Sequence, residues 1–101
     1  MLPEALNWYN FGMPYIKSQY RSEIDKLVEP LIKHLTSLPM EKQDGGFNYA
    51  ITKVLKGLYS KGDYFTYNRS LGALTALQSE WYRRDVASYE DKKIQENGDV
   101  A

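Results

Sequence analysis

Apolar residues recur three and four positions apart through most of the chain, which is the spacing of one face of an α-helix. The clearest run is Ile24, Leu27, Val28, Leu31, Ile32, Leu35 and Leu38, and it predicts a first amphipathic helix. Ser22, with Asp25 three residues on, reads as its cap, and Pro39 as its stop. Pro30 lies on the polar side, where it removes one backbone donor and predicts a kink or a restart. The stretch from Met40 to Gly46, with Asp44, Gly45 and Gly46, reads as a linker. Phe47, Ala50, Ile51, Val54, Leu55 and Leu58 then mark a second helix, closed at Lys61 and Gly62. Asp63 is placed to cap a third, whose stripe is Tyr67, Leu71, Leu74, Leu77, Trp81 and Tyr82.

An unbroken third helix ending at Asn97 would run to about 52 Å at 1.5 Å per residue, roughly twice the reach of a compact domain this size. A break is therefore expected, and Ser88 followed by Glu90 and Asp91 reads as a new amino-terminal cap. The short helix after it would close at Asn97 and Gly98. No alternating β pattern of useful length occurs. The fold class is all-α: a small bundle of three main helices, a short carboxy-terminal helix, and an aromatic arm. That arm, residues 1–12, crowds Leu2, Leu6, Trp8, Tyr9 and Phe11 together without helical spacing, and is too aromatic for an ordinary disordered tail. Residues 13–101 form a single helical domain in this reading.

Composition narrows the chemistry. Thirteen Lys or Arg balance thirteen Asp or Glu among 101 residues, so binding to nucleic acid through a basic excess is not expected. The absence of Cys excludes thiol catalysis, zinc ribbons and disulfide scaffolds. No apolar run reaches membrane-spanning length and the first dozen residues lack a signal core, so a cytoplasmic protein is expected. His34, the single histidine, cannot by itself make a metal site or a catalytic triad, and it falls on a polar helix side. Gly45-Gly46 is a weak candidate anion loop that lacks the Gly-Lys-Ser/Thr of a phosphate-binding motif. No enzyme activity and no cofactor are expected.

The third helix carries the candidate chemistry. Arg69, Gly72, Ala73, Ala76, Glu80, Arg83 and Ala87 share one face, and small residues flanked by charges suit a close helix crossing. Gly72 weakens a helix by about 1 kcal/mol relative to Ala, which points to close approach of another backbone or a ligand. Tyr67, Asn68 and Arg69 at one end, and Tyr82, Arg83 and Arg84 at the other, each set an aromatic beside a guanidinium. That pairing suits a base and a phosphate, although Glu80 can also pair with either of the last two arginines. Nine tyrosines with four arginines are equally the palette of a protein interface.

From Phe47 onward the chain resembles a family of small uncharacterised phage and prokaryotic proteins known as a domain of unknown function. The motifs are Asn48-Tyr49-Ala50-Ile51-Thr52, Tyr67-Asn68-Arg69 with Leu71-Gly72, Glu80-Trp81-Tyr82-Arg83-Arg84, and Tyr89-Glu90-Asp91-Lys92-Lys93-Ile94 running into Glu96-Asn97-Gly98-Asp99-Val100. Met13-Pro14-Tyr15-Ile16-Lys17 is similar to the family's amino terminus, which leaves the arm as an addition. Ser88, Trp81 and Ala101 depart from the family's usual proline, aliphatic and aromatic. The resemblance implies a phage setting and carries no activity. Together these features predict a non-enzymatic homo-oligomer that sequesters a small phosphorylated, nucleotide-like signal of host defence at Tyr67, Asn68, Arg69, Tyr82, Arg83 and Arg84. Its subunits would meet through Trp8, Tyr9, Phe11, Gly72, Ala73, Ala76 and Trp81. The alternative is a structural or protein-interaction module that grips a host or phage protein.

Overall fold

A computed structural model describes residues 16–100. The aromatic arm, with Trp8, Tyr9 and Phe11, lies outside the described residues. Among those described the chain is all-α, without strands, and forms two compact units that meet in sequence between Tyr67 and Asn68.

The first unit opens with a 3₁₀ turn, Ser18–Tyr20, that runs directly into α1, Arg21–Ser37. Arg21 ties the entry down, its Nε donating to the Ile16 carbonyl at 2.9 Å. Ser22 therefore sits inside the first turn rather than capping it, and α1 has no side-chain cap. Pro30 is accommodated within α1, and its side of the helix is exposed, so water can reach the carbonyl that loses its donor. The helix ends because Leu38 precedes a proline and is pushed to extended backbone, with ψ 151°.

Pro39 serves as the amino-terminal boundary of α2, Met40–Leu58, so the stretch read as a linker is helical. Glu41, Lys42 and Gln43 are strong helix formers, and they outweigh two glycines that cost about 1 kcal/mol each. Gln43 also secures the joint by donating from Nε2 to the Leu38 carbonyl at 3.0 Å. Gly46 has a packing reason: a Cβ there would lie 2.9 Å from Leu35 Cδ2 and 3.2 Å from Leu38 Cδ1. The glycine lets α1 and α2 approach where a larger residue would hold them apart. Being interior to a helix, Gly45-Gly46 does not form the free-amide loop expected of an anion site.

Beyond Leu58 the chain turns through Gly62, whose φ of +75° lies in the left-handed region that glycine tolerates. Asp63 then caps α3, Tyr64–Trp81, as its sequence position predicts. Its Oδ1 accepts from the Thr66 backbone amide at 2.8 Å, and its carbonyl from the Tyr67 amide at 3.0 Å. Hydrogen bonds from the Thr66 side chain and backbone, helped by Lys61, hold the Asp63 carboxyl below its ordinary value.

In the second unit α3 passes without interruption through a π-helical turn, Tyr82–Val86, into α4, Ala87–Asn97. The expected break at Ser88 does not occur. The irregularity is the wide turn just before it, in which the Ala87 amide donates to the Tyr82 carbonyl five residues back. Ser88 stays inside the helix because its hydroxyl has an intrahelical acceptor, the Arg84 carbonyl, at 3.0 Å. α4 closes as predicted, with Gly98 at φ +85° and its amide donating to the Ile94 carbonyl at 2.7 Å.

No apolar side chain among the described residues is fully buried; Thr66 is the one buried residue. α1 and α2 each have one covered side, at Leu31 and Leu35 on α1, with Leu38 just beyond its end, and at Ala50, Ile51 and Leu55 on α2, all half-buried. Leu27, Met40, Phe47 and Leu58 remain exposed.

Candidate functional site

The wide turn lies where the sequence places its arginine pair. A π turn holds one residue more than an α turn, so side chains that would line up seven residues apart line up eight apart across it. Tyr82 accordingly reaches Glu90, its hydroxyl donating to Oε1 at 2.5 Å. That bond, with the negative charge of Glu90 beside it, raises the Tyr82 pKa. A regular helix would instead have set Tyr82 over Tyr89, which is why the spacing of the sequence does not reveal this contact.

Glu80, in the last turn of α3, holds both neighbouring guanidiniums. Arg83 Nη2 donates to its two oxygens at 2.9 and 3.1 Å, and Arg84 Nε donates to Oε2 at 3.2 Å. The carboxylate side chain is 24% exposed while the arginines are 65% and 60% exposed, so the group is a half-sheltered anion under two solvated cations. Its formal charge is +1. Exposed pairs at these spacings contribute about 0.2–1 kcal/mol, so the triad shapes the local field more than it stabilises the helix.

Asn68 and Arg69 lie near the start of α3, Arg69 half-buried. Fourteen residues separate Arg69 from Arg83, about 21 Å along a helix, so one small ligand on one chain cannot touch both. Tyr67 belongs to the first unit and is exposed. On the small-residue face Ala73 and Ala76 are half-buried, but Gly72 is exposed and a Cβ there would meet nothing within 4 Å. Close packing falls on Gly46 instead, a role that two glycines between charged residues do not advertise.

An open cavity of about 490 Å³ lies beside the wide turn, its lining including Tyr82, Ala87, Tyr89, Glu90 and Ile94. Asp91, Lys93 and Asp99 complete its charges, and Arg83 and Arg84 do not line it. Three carboxylates against one ammonium disfavour a phosphate there. Lys93 is engaged as well, lying 5.5 Å over the Tyr89 ring and 3.2 Å from Glu96. Among the described residues no group of three or more His, Cys, Asp or Glu is placed to hold a metal ion, and no helix is long and apolar enough to cross a membrane.

Comparison with known families matches residues 13–100 to a domain of unknown function, DUF6899. The chain belongs to that family. The match begins where the aromatic arm ends, and it takes in Arg69 on α3 and the wide turn with Arg83 and Arg84. No curated protein and no solved structure matches the chain.

Proposed function

We propose that this DUF6899 member is a non-enzymatic interaction module, a helical subunit that covers its apolar faces with another polypeptide. The observation that carries the reading is the absence of any fully buried apolar side chain among the described residues, set against exposed Leu27, Met40, Phe47, Leu58, Tyr64, Leu71, Leu77 and Trp81. Folding has to offset roughly 1–2 kcal/mol of backbone entropy per residue, chiefly by burying apolar surface. Helices that leave such residues wet gain that surface back when a partner covers them.

The test is thermal unfolding of the pure chain over a hundredfold concentration range, repeated with the cell-extract fraction that copurifies with it. A partner that binds only the folded form raises the transition with its concentration. A midpoint indifferent to both chain concentration and extract refutes the reading.

A second reading is favoured by the net positive triad of Glu80, Arg83 and Arg84: sequestration of a small phosphorylated ligand in a homo-oligomer. The resemblance to phage proteins supplies its setting, a nucleotide signal in the host cytoplasm. It ranks second because Glu80 already engages both guanidiniums and the neighbouring cavity is acidic. Titration with cyclic and linear nucleotides tests it directly: at a hundred times its dissociation constant, a true ligand stabilises by about 2.7 kcal/mol.

A further inference from the structure

We propose that the wide turn, Tyr82–Val86, is a two-position joint latched by the bond from Tyr82 to Glu90, whose release turns α4 by about 100° around the helix axis. It goes beyond the interaction reading and does not depend on it. The backbone does not require a π turn here. From Ala73 to Asn97 the sequence has neither Pro nor Gly, two common causes of an irregular helix, so a continuous α-helix is open to the same segment. A π turn is the rarer of the two arrangements, and its presence calls for a local cause.

Most side-chain contacts around the turn do not distinguish the two positions. Glu80 holds Arg83 and Arg84 at the ordinary spacing of three and four residues, Lys93 meets Glu96 and Tyr89 at the same spacing, and the Ser88 hydroxyl reaches the Arg84 carbonyl four residues back. The bond from Tyr82 to Glu90 does distinguish them. It spans eight residues, two helical turns plus the extra one, and at 2.5 Å it is short and charge-assisted. In a regular helix Tyr82 would stand over Tyr89, and Glu90 would come into line with Arg83, seven residues before it. Each position thus offers Glu90 a partner, a hydroxyl in one and a guanidinium in the other.

α4 is exposed from Ser88 onward, so turning it covers and uncovers little surface. What changes is the cavity. Tyr82, at the start of the turn, forms one wall, and Ala87, Glu90 and Ile94 of α4 form another, so the cavity exists only while the two are in line. Release of the latch carries the Tyr82 ring off that lining. Anything seated between Tyr82 and α4 binds one position alone and holds the latch shut.

The chain has no cysteine, so nitroxide labels can be attached at Ser79→Cys and Asp91→Cys, both exposed, and their separation read by pulsed electron spin resonance on the full chain. In the latched position the two sites lie about 20° apart around the axis; in a regular helix they lie about 120° apart, and the labels stand several ångström farther from each other. The doubly labelled parent is expected to give the short distance. Tyr82→Phe should raise the ratio of long to short distance by about tenfold or more, the effect of losing a hydrogen bond to a charged group. Deleting Asp85 supplies the control: it makes the turn regular while keeping Tyr82 in line with Glu90, so the short distance should there survive Tyr82→Phe.

A long distance in the parent overturns the latched position, and a Tyr82→Phe variant that keeps the parent's short distance overturns the latch. A long distance in Tyr82→Phe that persists with Asp85 deleted marks fraying of α4 rather than a joint, and overturns the inference as well.

Discussion

Gly45 and Gly46 are adjacent in α2 and differ in what surrounds them, so they separate backbone propensity from packing. Replacing either with Ala removes the entropy cost of glycine in a helix interior, a gain of about 0.8–1.0 kcal/mol. At Gly45 nothing lies within 4 Å of the added carbon, and Gly45→Ala should realise the whole gain. At Gly46 the carbon would stand 2.9 Å from Leu35 Cδ2 and 3.2 Å from Leu38 Cδ1, where carbon contacts settle at about 3.5–4.0 Å. Both leucines must retreat by several tenths of an ångström, and overpacking of this kind costs about 1–3 kcal/mol. The atoms that move are the ends of half-buried side chains, so the cost should sit at the low end of that range. Gly46→Ala is therefore expected to lie between neutral and about 1 kcal/mol destabilising, some 1–2 kcal/mol below Gly45→Ala. Urea unfolding followed by helical circular dichroism, with a shared m value, resolves that gap. If both alanines stabilise alike, α1 does not approach α2 at Gly46, and the account of the joint fails.

Asp63→Asn should keep the cap of α3 but lose its pH dependence. Because the folded carboxyl has a lowered pKa, its contribution is present above about pH 4 and fades as the pH falls toward the folded value. Melts at pH 7 and pH 3 should therefore differ by more in the parent than in Asp63→Asn. Tyr82 should ionise late among the tyrosines, since its bond to Glu90 favours the protonated phenol; that contribution is present at neutral pH and lost as the pH rises through the raised value. The difference in ultraviolet titration between the parent and Tyr82→Phe measures it, and Glu90→Gln should bring the ionisation back toward the ordinary value. Glu80→Gln should release Arg83 and Arg84 with under about 1 kcal/mol of stability lost, because the pairs are solvated. If it improves phosphate binding, the sequestration reading rises above its present rank.

The three main helices, the Asp63 cap and the Gly98 closure were legible because each depends on near neighbours along the chain. Apolar stripes at helical spacing, a carboxylate one turn from an amide and a glycine after the last helical residue are local physics. What was not legible depends on contacts across the chain. Whether Gly46 is linker or helix depends on Leu35 and Leu38 needing the space of its missing Cβ. Whether Ser88 begins a helix or continues one depends on which acceptor its hydroxyl finds, and it finds Arg84. The link from Tyr82 to Glu90 exists only because a five-residue turn shifts the register. In the candidate site, the pairing of Glu80 with either arginine could be read from the spacing, whereas its engagement of both at once could not.

The wide turn also explains why the apolar stripe of α3 stops where it does. Through Trp81 the outward stripe of α3 is aromatic and aliphatic. One extra residue in the turn rotates everything after it by about 100°, so a stripe continued at the same spacing would leave that face. The next positions in the series are Asp85 and Ser88, both polar, and α4 is exposed from Ser88 onward. One helix thus carries an apolar length suited to being covered and a charged length suited to water. Glu80, Arg83 and Arg84 stand at the junction. Charges at such a rim govern the encounter and orientation of partners more than final affinity.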